Sequence, residues 1–174
     1  MSSTAAPSPR TFVPVVGITS FVAGILFILA GVGTYVMVSG QLADQHITVS
    51  EDASLLAGRT VAGPFTAYAQ ADVINVHALA STDGRTYSEL GELIGQAEEG
   101  SAEEAELQAQ RATVMNASFL RASLYTSVVA FGVAVLVIGI GVVLALSGLA
   151  IRRLALMNDA RAAQAQDLAA RQLA

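Results

Sequence analysis

The hydrophobic pattern is dominated by two long runs without a charged side chain, residues 11–43 and 122–151. Neither run alternates as a half-buried strand would, and neither keeps its apolar residues to one helical face. A helix needs about 20 consecutive apolar residues to cross a hydrocarbon core of roughly 30 Å. Both runs exceed that length, which predicts transmembrane helices over 12–40 and 122–151. As core helices of a soluble protein, they would leave too little chain to cover them. The first run is also far longer than the apolar region of a signal peptide, roughly 7–15 residues.

Between the runs the pattern changes character. Residues 46–50 (HITVS) are β-prone, and Gly63-Pro64 marks a turn. The stretch 64–80 (PFTAYAQADVINVHALA) is Ala-rich and predicts a helix, with Pro64 in its first turn and Phe65, Tyr68, Ala71 and Asp72 at helical spacing. Residues 81–84 (STDG) predict a turn. Thr86 is placed to cap a short helix, with Glu89 completing a capping box and Tyr87, Leu90 and Ile94 forming the apolar face. Ser101 and Glu104 repeat that signature. No Gly or Pro follows until Gly132, so one helix is expected from about Ala102 through the second span. Leu107, Val114 and Phe119 are expected to pack it against the other elements.

The fold expected is an all-α membrane protein. It comprises a two-span transmembrane hairpin, a small, mostly helical extracytoplasmic domain over 41–121 and a long second helix. Residues 1–11, rich in Ser, Pro and Ala, are expected to form a disordered cytoplasmic N-terminus. Residues 152–174 are good helix formers and should make a cytoplasmic helical tail.

Composition sharpens this picture. Hydrophobic residues make up 53% of the chain and charged residues 13%, against about 25% in a soluble domain. Twelve of the fourteen acidic residues lie in 44–121, whereas Arg152 and Arg153 follow the second span directly and Arg10 precedes the first. Arg concentrates on the cytoplasmic side of membrane proteins, so both termini are expected in the cytoplasm. Arg121, on the outer side, is expected to snorkel to the headgroups. Tyr35 and Tyr125, near the outer ends of the spans, read as interface anchors. The net charge of -5 speaks against nucleic acid as a partner. With no cysteine in the chain, disulfides, thiol catalysis and Cys-ligated metal are excluded. All nine basic residues are Arg, and this Arg-for-Lys, Ala-rich composition points to a high-GC bacterium.

Small residues mark the spans. Gly17, Gly24 and Gly31 recur every seven residues in the first; Gly132 and Gly139, and Gly141 and Gly148, are seven apart in the second. Seven residues are nearly two helical turns, so each series marks one side of a helix. Lipid provides no hydrophobic drive between helices, and small residues let backbones approach. The expectation is a packing seam within the chain or between copies. The competing reading, a ligand channel along the glycines, lacks the intramembrane charged groups that relays and filters use.

No site for chemistry emerges. His46 and His77 are the only histidines, and His77 lacks an H-x-x-x-H or H-E-x-x-H partner. Glu98, Glu99, Glu103, Glu104 and Glu106 read as a solvated helix face, without the EF-hand pattern. No catalytic, metal or cofactor residue is assigned, and an enzyme is not expected. His77, Thr82, Gly84, Thr86 and Tyr87 are expected to form the structural junction of the outer domain.

The chain resembles a family of small two-span membrane proteins of actinobacteria. The likeness rests on an N-terminal span, on Ile74-x-x-His77 followed by Thr82-x-Gly84-x-Thr86-Tyr87, and on the run ASFLRASLYTSVVAFGV entering the second span. It covers roughly residues 12–153. Members often carry a label likening them to LigA, an aromatic ring-opening dioxygenase subunit. A non-haem iron site needs two His and a carboxylate with open positions, and His46 and His77 would have to supply both imidazoles. The residues do not support that chemistry. The expected function is that of a membrane accessory or scaffold protein, associating with the bilayer and with copies of itself or another membrane protein. The alternative is an envelope sensor or small-ligand binding protein signalling through the second helix, with an outer pocket lined by His77 or Tyr87.

Overall fold

A computed structural model describes residues 9–172 and contains four helices: α1 (Pro9–Ala43), α2 (Pro64–Ala80), α3 (Tyr87–Ile94) and α4 (Ala102–Gln172). The fold is all-α, and α1 and α4 are each long and apolar enough to cross a membrane. The chain is a multi-pass membrane protein. The described part of the expected disordered N-terminus, residues 9–11, lies within α1; residues 1–8 fall outside the described residues. Helix α1 takes in Pro14, its sixth residue, which forgoes one intrahelical bond in the second turn. Helix α4 runs 71 residues without a break from the Ser101 cap to Gln172.

The contacts divide the chain into two units. One joins the stretch ending at Gly33 to the stretch beginning at Ala134. The other is the continuous segment Thr34–Val133.

In the first unit, α1 and α4 present large apolar side chains outward, including Leu26, Leu29, Leu136, Val143 and Leu146. In water such a surface would drive aggregation; in hydrocarbon it is the solvated face.

The second unit is built around α2. The end of α1 carries the chain past Asp44 to His46, whose φ of 53° ends the helical path. The chain then folds back on itself. Val49 N–H donates to the Arg59 carbonyl and Val61 N–H to the Ile47 carbonyl, around a single antiparallel bridge between Thr48 and Thr60. Gly58, at φ 71°, provides the reversal. The β-prone stretch 46–50 thus finds a partner in 58–61, and both Val49 and Val61 are fully buried. Two side chains hold this loop to the helices: Ser39 Oγ donates to the Ala62 carbonyl at 2.6 Å, and Gln70 Oε1 accepts from Ser50 N–H at 3.0 Å.

Helix α2 starts at Pro64, with Thr66 Oγ1 accepting from Gly63 N–H at 3.1 Å. Its buried residues are Ala67, Ala69, Ala71, Val73 and Ala78. Phe65 and Tyr68, on the spacing that the sequence marks, point outward, with Phe65 79% exposed. The core selects alanine here because α2 is covered on more than one side, and small side chains let neighbouring elements approach. Around it gather Leu42, Leu124 and Phe131, with the Tyr35 ring tilted against that of Phe131 at 4.7 Å between centroids.

A second cluster joins Leu90 of α3 to Leu107 and Val114 of α4. Leu107 and Val114 are seven residues apart and share a face. Phe119 does not join them and is 65% exposed. Five residues beyond Val114, it lies about 140° around the helix, which corrects its expected role in packing.

Candidate functional site

The glycines of the spans fall into two groups. A side chain at Gly24 would bring its Cβ within 2.5 Å of both the Ala145 amide nitrogen and the Gly141 carbonyl oxygen. At Gly17 the obstacles are the Gly148 carbonyl at 3.0 Å and the Arg152 nitrogen at 3.1 Å; at Gly31, the Ile138 side chain at 2.6 Å and the Ala134 carbonyl at 2.8 Å. Gly141 and Gly148 are blocked in return by the carbonyls of Gly24 and Gly17. The register is antiparallel and regular: 17 faces 148, 24 faces 141 and 31 faces 134. Each hydrogen that replaces a Cβ points towards a facing carbonyl, the arrangement of Cα–H···O contacts worth about 0.5–1 kcal/mol each. Backbone fills the seam, which leaves no path along it for a ligand.

Gly132 and Gly139 are outside this seam. A Cβ at either would meet nothing within 4 Å. The seam series on α4 is 134–141–148, with Ala134 1% exposed and standing in for a glycine. Gly132 and Gly139 precede seam positions by two residues, which carries them about 200° around the helix. Gly139 lies instead in an open apolar groove of about 570 Å³, lined by Val135, Leu136, Ile140, Val143 and Leu144.

The five junction residues occupy the corner from the end of α2 to the start of α3. Thr82 is fully buried, with its Oγ1 2.9 Å from the Arg85 carbonyl and 3.1 Å from that of Ala78. Gly84 adopts φ 78° and sends its N–H to the Leu79 carbonyl at 2.7 Å, closing the turn. A side chain there would meet nothing within 4 Å, so the backbone conformation is what favours glycine. Thr86 caps α3: Glu89 N–H reaches its Oγ1, and the Glu89 carboxylate accepts from Thr86 N–H at 2.7 Å. These bonds hold the Glu89 carboxyl below its usual range. The guanidinium of Arg111 on α4 sits over the Tyr87 ring at 4.0 Å.

His77 takes a different partner. Its Nε2 lies 2.6 Å from Oδ2 of Asp52, in the loop before α2, and both side chains are more than half exposed. This hydrogen bond lowers the Asp52 pKa. The five residues therefore do not converge: His77 faces the loop, whereas Tyr87 faces α4. Asp52 is the residue that spacing could not find, because it lies 25 positions away. Tyr87, Ile94, Gln108, Arg111 and Met115 line an open depression of about 310 Å³, which His77 does not enter. Among the described residues, no three His, Cys, Asp or Glu side chains are grouped to hold a metal.

No family model, curated protein or solved structure matches this chain.

Two outcomes follow from this geometry. Gly24→Leu should destabilise the helix pair by at least the ~1–3 kcal/mol of ordinary overpacking, since the obstructing atoms are backbone. Gly33→Leu, placed where nothing lies within 4 Å, should leave the pair at least as stable as the parent. Thermal unfolding in detergent compares them. Asp52 and Glu89 have lowered native pKa values, so their contributions are present above the unfolded carboxyl pKa values of about 4. Those contributions fall away as pH drops through the native values. Amide exchange in 47–52 and 86–90 should accelerate below about pH 4 beyond the intrinsic rate, less so in Asp52→Asn and Glu89→Gln.

Proposed function

We propose that this protein works by association, as an accessory or scaffold subunit of a membrane complex or as a homo-oligomer, and that it is not an enzyme. The observation that carries this reading is the groove around Gly139. The α1–α4 seam uses one side of α4, and a second small-residue position on another side stands open among branched apolar side chains. A glycine in that setting costs helix stability and offers a neighbouring helix close approach. The topology proposed with it places both termini in the cytoplasm and 41–121 outside, on the strength of Arg152 and Arg153 directly after the second span. Kinship with the small two-span actinobacterial proteins is part of the same proposal. The unbroken course of α4 favours, as a second reading, an envelope sensor that reports through that helix.

The absence of native cysteine makes the association test direct. Leu136→Cys should give disulfide-linked dimers on oxidation in membranes, and adding Gly139→Leu should reduce them several-fold. A heteromeric complex would instead show a stoichiometric membrane protein on mild-detergent purification, lost with the same Gly139→Leu change. A lone monomer with no co-purifying protein would end the association reading. For topology, a reporter active only in the cytoplasm should be active at the C-terminus and silent when inserted after Gly84. The opposite pattern would invert the orientation.

A further inference from the structure

A cleft in the Thr34–Val133 unit differs in chemistry from the two concavities described above. It encloses about 650 Å³, within the range of about 300–1,000 Å³ typical of small-molecule sites. Three helices and the loop contribute to its wall. Gln41 and Gln45 come from the end of α1 and just beyond it, Gln70 from α2, and Ser123 and Ser127 from α4; between them stand Val38, Leu42, Ile47, Ile74, Leu120 and Leu124. Three primary amides and two hydroxyls thus share one cleft with branched aliphatic side chains. None of the lining residues is ionisable, although Asp44, Asp72 and Arg121 lie close by in sequence.

The hydrogen-bonding capacity of these groups is largely unused. Gln70 spends its Oε1 on Ser50 N–H, leaving its two N–H donors. Ser127 donates to the Ser123 carbonyl at 3.2 Å and keeps its acceptor lone pairs. Gln41, Gln45 and Ser123 are exposed, and their side chains make no hydrogen bond to another described residue. Amides and hydroxyls both donate and accept, which suits a hydroxyl and gives no advantage to a phosphate or carboxylate.

The position of the lining residues in the sequence identifies the source of the ligand. Val38, Gln41 and Leu42 belong to the last turns of the uncharged run 11–43, whereas Ser123, Leu124 and Ser127 belong to the first turns of the uncharged run 122–151. The cleft is therefore lined by the adjoining ends of both uncharged runs, which in the proposed topology are the outer ends of the spans. Its polar groups lie alongside its apolar ones, a pairing that suits the part of a lipid where chain gives way to head. We propose that this cleft binds a membrane lipid whose head is uncharged and bears hydroxyl groups, a diacylglycerol or glycosylated glycerolipid in chemical class. Gln41, Gln45, Gln70 and Ser123 hold the head, and Val38, Leu42, Ile74 and Leu124 contact the upper chains.

The test uses the full chain in lipid nanodiscs containing photoactivatable diacylglycerol or, separately, photoactivatable phosphatidylglycerol with the same acyl chains. Diacylglycerol should label peptides covering 38–47 and 120–127 in preference to phosphatidylglycerol. The Gln41→Leu, Gln45→Leu double variant should label about tenfold less, the equivalent of ~1.4 kcal/mol. Ser123→Phe, at an exposed position, should fill the cleft and lower labelling independently. Equal labelling by the two lipids would overturn the neutral-head assignment. Labelling elsewhere, or labelling unchanged in both variants, would overturn the site. The dimer yield of Leu136→Cys should be the same in all of these variants, which separates failure of this site from failure of the association reading.

Discussion

Close approach of two backbones in hydrocarbon is the constraint on which the membrane part depends. In water, α1 and α4 could be driven together by burying leucines. In lipid, the tails are as apolar as the side chains, and that drive is absent. What remains is contact at short range. Gly17, Gly24 and Gly31 bring α1 against the carbonyls at 148, 141 and 134 of α4, and Gly141 and Gly148 answer from the other side. Any Cβ at Gly24 would collide with main-chain atoms that cannot swing away. The large residues are displaced to the lipid-facing surface, where Leu, Val and Phe are well solvated.

The intervening unit solves a different problem with a related device. It has about 100 residues and only short elements between its two long helices, so large side chains cannot all be centred. Its buried face on α2 is mostly alanine. Val49, Val61, Leu42, Leu124 and Phe131 fill the space around it. The polar bonds are placed where packing alone would leave the chain loose: Ser39 to Ala62, Gln70 to Ser50, and His77 to Asp52 each fix the loop between α1 and α2 to a helix. Thr82 and Gly84 set the corner to α3, and Thr86 with Glu89 starts that helix. His77, Thr82 and Thr86 thus each hold a structural bond, while Tyr87 meets Arg111 of α4.

What is left over carries the functional readings. A side chain at Gly139 would meet nothing within 4 Å, and the proposed association sets another helix there. The amides at Gln41 and Gln45 line the cleft proposed to hold an uncharged lipid head. The two surfaces differ in chemistry: one is wholly apolar, the other mixes amides and hydroxyls with aliphatic groups. They can be occupied and tested separately.

The sequence by itself determined the two spans, the two shorter helices between them, the capping box at Thr86 and the unbroken course of α4. These follow from local quantities: run length, charge, turn residues and cap spacing act within a few residues of where they are read. It also marked the seam glycines, because a seven-residue repeat survives in one dimension. It did not separate Gly141 and Gly148 from Gly132 and Gly139, since period alone does not say which side of a helix meets a neighbour. Tertiary structure decided that, by the antiparallel register that sets 24 against 141. It also decided that alanine rather than Phe65 and Tyr68 faces the core, that Phe119 turns outward, and that His77 meets Asp52. In each case the outcome depends on which element lies opposite, and that is fixed only when distant parts of the chain compete for the same space.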